Sequence, residues 1–138
     1  MEHPQMFESD DPWYVGVREL ALALPGAQEK VSHGRPAFYT RKVFAYYGGA
    51  VKVKGVWVQH PRSIVLLADL DGQSALRAGP GAYVPGYLGA YGWTGLDLDE
   101  RTDLDDLADW IQASYDFTAP RSRAAAPVPG SPPPSPDC

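Results

Sequence analysis

From Gln28 to Leu67 the chain reads as a succession of short segments rich in β-branched and aromatic residues: Gln28 to His33, Ala37 to Thr40, Val43 to Tyr47, Ala50 to Gln59 and Ser63 to Leu67. Glycines and prolines punctuate them. Strands that follow one another without helical crossovers reverse direction at each turn, so this run predicts an antiparallel sheet rather than a parallel one. Gly48-Gly49 is the expected hairpin turn in its middle. Just beyond, Val51 and Val53 alternate with Lys52 and Lys54, which predicts a strand with its valines inward and its lysines in water.

Helical patterns bracket that run. Val17, Leu20, Ala21 and Leu24 stand at the spacing of one helix face, so a helix is expected from about Asp11 or Pro12 to Leu24, stopped by Pro25-Gly26. Asp71-Gly72 marks a break, and Gln73 to Ala78 a short helix that ends at Gly79-Pro80. After a loop rich in glycine and tyrosine, Thr94 to Leu98 reads as the last strand. Thr102 followed by Asp105 resembles a capping box for a final helix with a stripe of Leu104, Leu107, Ala108, Ile111 and Tyr115, leaving Asp103, Asp106 and Asp109 to solvent. The expected fold is α+β in two layers: an antiparallel sheet of about five strands, covered on one face by the N- and C-terminal helices, with a short helix before the last strand.

Residues 12–118 are expected to form one domain, residues 1–11 a flexible N-terminus and residues 119–138 a disordered tail rich in proline and alanine. Hydrophobic residues make up 44% of the chain and aromatic residues 12%, enough apolar surface for the central hundred or so residues to offset the entropy of ordering. The only cysteine is Cys138, so no internal disulfide and no cysteine-based metal site is expected. With no apolar run near the roughly 20 residues of a membrane helix, the chain is expected in the cytoplasm; the sequence does not give the oligomeric state, and a monomer is favoured.

Charge is unevenly distributed. The net charge is −5, yet Lys30, Arg35, Arg41, Lys42, Lys52, Lys54 and Arg62 fall between Lys30 and Ala68 without one Asp or Glu among them. Acid collects near the last helix, from Asp97 to Asp109 and again at Asp116. A basic run without acid is the pattern that neutralises phosphates, and seven such residues on neighbouring strands are candidate nucleic-acid contacts.

Four passages of the chain together resemble one family of small bacterial proteins, MmcQ/YjbR. They are Ala23-Leu24-Pro25-Gly26-Ala27 with His33-Gly34-Arg35-Pro36-Ala37-Phe38, then Arg41-Lys42-Val43-Phe44-Ala45, then Tyr87 to Leu98 around Gly92-Trp93, and finally Leu107 to Tyr115. The resemblance implies a fold similar to the CyaY or frataxin arrangement and a DNA-binding role through a double-wing arrangement, with weak, salt-dependent contacts. Relatives usually carry a basic residue in the loop before the tryptophan that matches Trp93. Here Tyr87-Leu88-Gly89-Ala90-Tyr91-Gly92 carries none, so contacts from that loop are expected to come from tyrosine stacking or backbone amides.

Other chemistries find fewer residues. None of His3, His33 and His60 has a second His or a Cys at ligand spacing, and the acidic run reads as a solvated helix face, so no metal or other cofactor is expected. Ser32-His33 and Ser63 lack a nucleophile-elbow context, and Gly79-Pro80-Gly81 lacks the Lys and Ser/Thr of a phosphate-binding loop, so no catalytic residue is assigned and the chain is not read as an enzyme. The alternative to nucleic acid is a small-molecule or protein-interaction module. Its candidate cleft is lined by Tyr83, Tyr87, Tyr91 and Trp93 with Trp57 near them, and the proline-rich tail is a further candidate ligand for a partner.

Overall fold

The structure, a computed structural model, describes residues 7–119. His3, Cys138 and the expected disordered tail from residue 120 on lie outside the described residues. In chain order the elements are α1 (Pro12–Leu22), β1 (Gln28–Ser32), β2 (Arg35–Tyr39), β3 (Val43–Val53), β4 (Val56–Leu67), α2 (Leu70–Arg77), β5 (Ala82–Tyr83), a 3₁₀ turn (Leu88–Tyr91), β6 (Trp93–Asp97) and α3 (Leu104–Thr118). All paired strands are antiparallel, in the order β1-β2-β3-β4-β6-β5. The fold is α+β as expected. The sheet has six strands rather than about five, because the two residues of β5, inside what reads as loop, pair with Leu96 and Gly95.

Helices α1 and α3 pack on each other and on β3 and β4. Between them and the sheet lies one core, including Val17 and Ala21 from α1, Phe38, Phe44, Tyr47, Ile64, Leu66 and Leu96 from the strands, and Leu107 and Ile111 from α3. Side chains such as Leu107 and Ile111 each contribute roughly 1.5–3 kcal/mol through burial.

The start of α1 is fixed by one carboxylate. Asp11 Oδ1 accepts the Trp13 amide at 3.0 Å as the N-cap, Pro12 follows at the first helical position, and the Tyr47 hydroxyl donates to Asp11 Oδ2 at 2.5 Å. Asp11 is buried, and Phe7 packs on Tyr14 with ring centroids 4.9 Å apart. Phe7 and Asp11, both within the stretch read as flexible, are thus held against the domain.

The last helix corrects two expectations. Its N-cap is Asp103, which accepts from the amides of Asp105 and Asp106, while Thr102 Oγ1 accepts the Asp99 amide in the preceding turn. Its buried face is Leu107, Ile111, Ser114 and Thr118, and Leu104 is 61% exposed because it opens the helix beyond the edge of the core. Ser114 ties helix to sheet: its hydroxyl donates to the Phe44 carbonyl at 2.6 Å and accepts the Leu67 amide at 3.0 Å.

Gly48-Gly49 is not a turn. Both residues lie inside β3, where the register against β4 shifts between Tyr47 and Gly49. The reversal comes at Lys54-Gly55, with φ of 50° and 81°, the pair of positive values a two-residue type I′ hairpin requires. His33-Gly34 turns β1 into β2 in the same way, with φ of 54° and 83°. Moving the turn joins the expected strands into two long ones and carries them past the end of the sheet.

Candidate nucleic-acid interface

β2 pairs with β3 only from Val43 to Tyr46, and β6 pairs with β4 only from Ser63 to Leu67. The five pairs from Gly49–His60 to Val53–Val56 therefore form a two-stranded ribbon with no further strand on either side. At about 3.3 Å per residue it extends roughly 13 Å. Val53, Val56, Trp57 and Val58 are all more than 40% exposed on it. The expectation that Val53 points inward fails for this reason: the ribbon has passed the end of the helical layer, so no core remains for either face to meet.

The seven basic candidates are spread along the sheet rather than gathered. Lys52 and Lys54 are exposed at the ribbon tip, with Lys52 Nζ 5.7 Å from the centre of the Trp57 ring. Arg41 and Lys42 occupy the β2–β3 turn at the opposite end of β3, on the order of 30 Å away. Lys30 lies over the Tyr39 ring at 4.9 Å and is level, through Ala37, with Tyr46, about 20 Å back from Lys52. Arg62 sits 3.6 Å from Asp11. Arg35 is half-buried and donates to the Gly49 carbonyl and to Gln59, with its pKa lowered by burial. Arg35 thus serves the fold, Arg62 stays 64% exposed beside Asp11, and the acid-free run resolves into a ribbon-tip pair, a distant turn pair, Lys30 and Arg62.

The five aromatic candidates also separate. Trp93 is buried against Tyr46 at 5.2 Å. Tyr83 lies across Gly95 and Gly49, stacks on His60 at 3.8 Å and shares a 2.7 Å hydrogen bond with Ser63, and burial pushes its phenol up to about 12. His60 also pairs with Asp97 at 2.8 Å, but Ser63 Oγ donates to the His60 backbone carbonyl, so the three side chains are not arranged as a serine–histidine–acid relay. Trp57, Tyr87 and Tyr91 remain on the surface.

Trp57 and Tyr87 are brought together by the loop after β5. The Gly86 amide donates to the Ala50 carbonyl at 2.9 Å, which fastens the loop to the ribbon. A Cβ on Gly86 would stand 2.5 Å from the Trp57 ring, so only glycine lets the indole lie against this backbone. Tyr87 follows with φ of 61° and ψ of −57°, a strained conformation for a residue with a Cβ, and its ring reaches Trp57 with centroids 5.7 Å apart while staying 80% exposed. Arg77 anchors the far side of the loop, donating to the Gly89 and Trp93 carbonyls at 3.2 and 3.0 Å and to Thr94 Oγ1 at 2.9 Å. Neither Gly86 nor Arg77 stands out in the sequence. Pro85-Gly86 marks a turn, but the ring that requires the glycine, Trp57, stands 29 positions earlier in the chain.

A separate cleft of about 250 Å³ opens between α2 and the start of α3, where Asp99, Asp103, Asp106 and Trp110 line part of its wall. Its carboxylates disfavour a phosphate. Among the described residues no three His, Cys, Asp or Glu side chains converge to hold a metal ion, and no helix is long and apolar enough to cross a membrane.

Across residues 22–117, well over half of the chain, the sequence matches the family model YjbR. The chain belongs to the YjbR family. No curated protein matches it. The YjbR match contains the whole ribbon, the aromatic loop and Arg77, and it omits Asp11 and nearly all of α1. The parts that present exposed lysines and rings therefore lie inside the matched region, while the α1 cap that secures Tyr47 lies outside it.

Proposed function

We propose that this YjbR-family protein binds DNA without chemically altering it, and that the β3–β4 ribbon is the part that meets the nucleic acid. The observation that carries this reading is the ribbon itself: a projecting two-stranded element with Lys52 and Lys54 exposed at its tip and no Asp or Glu between Ala50 and Gln59. A protein with net charge −5 attracts a polyanion only through a local basic projection held away from its acids. The acidic stretch from Asp97 onward runs along β6 and α3, off the ribbon. Such a role belongs in the cytoplasm.

Fluorescence anisotropy with labelled duplex and single-stranded DNA, at about 50 and 200 mM salt, tests it. Binding at the lower salt that Lys52→Ala/Lys54→Ala abolishes is the expected result, and no binding of either DNA at the lower salt ends the proposal. The aromatic alternative keeps a narrower footing, because Tyr83 and Trp93 are engaged with the sheet and only Trp57 and Tyr87 are in contact at the surface.

A further inference from the structure

We infer that the ribbon and the aromatic loop together form a stacking site for unpaired bases, so that the preferred ligand is single-stranded rather than duplex nucleic acid; this rests on the DNA-binding reading above. Three independent features converge on one spot. First, Trp57 and Tyr87 touch each other yet stay 41% and 80% exposed, and Tyr91, four residues on in the same loop, is 78% exposed. Rings that merely closed the edge of a core would be covered, as Trp93 is. Second, the site is held open at a cost in backbone conformation. Tyr87, with φ of 61° and ψ of −57°, sits at the centre of a tight γ-turn that is strained for any residue with a Cβ, and the loop is fixed on the ribbon side through Gly86 and on the α2 side through Arg77. Third, the charge around it suits a strand's backbone: Lys52 lies 5.7 Å from the Trp57 ring and Lys54 is two residues further out, with no carboxylate on the ribbon.

An exposed aromatic platform flanked by lysines is the arrangement that takes bases on ring faces while cations track the phosphates. In a duplex the ring faces of the bases are already stacked, so Tyr87 has nothing to receive. A separated strand offers them at no unstacking cost. The geometry also accounts for the missing basic residue in the loop from Tyr87 to Gly92, since a loop that supplies ring surface leaves the charge to the neighbouring ribbon.

The test is anisotropy with a labelled oligothymidylate of about a dozen nucleotides and a duplex of equal length, for the wild type, Tyr87→Gly and Tyr87→Phe. The wild type is expected to hold the single strand at least about fivefold tighter than the duplex. Tyr87→Gly is expected to lose between about fivefold and a hundredfold on the single strand and little on the duplex, while Tyr87→Phe keeps the wild-type affinity. Because glycine relieves the positive φ, Tyr87→Gly should also melt no lower than the wild type, which separates lost stacking from lost folding. Equal or tighter binding of the duplex, or a single-strand affinity unmoved by Tyr87→Gly, overturns the inference while DNA binding stands. Binding of neither oligonucleotide overturns both.

Discussion

If the ribbon tip supplies the phosphate contacts, the salt dependence of binding must be shallow, and its size follows from the count of lysines in place. Each phosphate neutralised contributes about −0.9 to the slope of log affinity against log salt on duplex DNA and about −0.7 on a single strand. Lys52 and Lys54 alone give a slope of about −1.4 to −1.8, so raising the salt from about 50 to 200 mM should weaken binding by roughly tenfold. Had all seven basic residues of the run met one ligand, the slope would approach −6 and the same change would cost several thousandfold. The structure separates these cases because Arg35 is tied to Gly49 and Gln59, Arg62 faces Asp11, and Arg41 and Lys42 stand at the other end of β3. Anisotropy titrations at four or five salt concentrations measure the slope directly. Lys52→Ala/Lys54→Ala should remove binding already at the lowest salt, and Arg41→Ala/Lys42→Ala should leave both affinity and slope unchanged. A slope steeper than about −4, or equal losses from the two double variants, would refute the assignment of binding to the ribbon.

Three predictions concern the frame that holds the ribbon. Asp11→Ala removes the α1 cap and leaves the Tyr47 hydroxyl without its acceptor, so a loss of about 2–4 kcal/mol is expected in urea unfolding, whereas Asp11→Asn should retain the cap and lose less. Ser114→Ala strands the Phe44 carbonyl and the Leu67 amide, for an expected loss of about 2–4 kcal/mol read in the same way, with Ser114→Thr distinguishing hydroxyl from volume. Tyr83, raised by burial to about 12, holds its proton more tightly folded than unfolded. Its contribution is therefore complete below about pH 10 and is lost as pH rises toward 12, by up to about 2–3 kcal/mol, a window that unfolding curves and tyrosinate absorbance across that range will show or exclude.

The layers of the fold were legible because their signals are periodic. Val17 and Ala21 on α1, and Leu107 and Ile111 on α3, repeat at helical spacing, and the β-branched run between the helices has nowhere to cross over. The features without a periodic signal depend on partners far off in the chain. Gly48-Gly49 has the composition of a hairpin turn, yet Lys54-Gly55 supplies the reversal, because a lysine tolerates the first positive φ and the two glycines lie where the Arg35 side chain and the Tyr83 ring come close to β3. β5 is only two residues long and carries no pattern of its own. Ser114 reads as a gap in an apolar stripe until the two backbone groups it satisfies are seen at the ends of β3 and β4. The basic run was visible as composition, but whether its members share one surface depended on the position of a turn, which single residues decide.

That displaced turn also reconciles an acidic protein with a polyanionic ligand. Had the chain reversed at Gly48-Gly49, Lys52 and Lys54 would have lain within the body of the sheet; the Asp97 carboxylate meets His60 at the foot of the ribbon. Reversal at Lys54-Gly55 carries the lysines roughly 13 Å beyond that foot. The screening length is about 8–10 Å at ionic strengths of 0.1–0.15 M, so the repulsion from Asp97 and the acids that follow it is largely damped at the tip. The net charge of −5 then governs solubility and long-range approach, while the sign of the potential a ligand meets is set by the ribbon. The same extension strips the ribbon of a core on either face, which is why Trp57 comes to the surface and why the aromatic loop must reach out through Gly86 to meet it. Charge placement and ring exposure are thus two consequences of one hairpin turn.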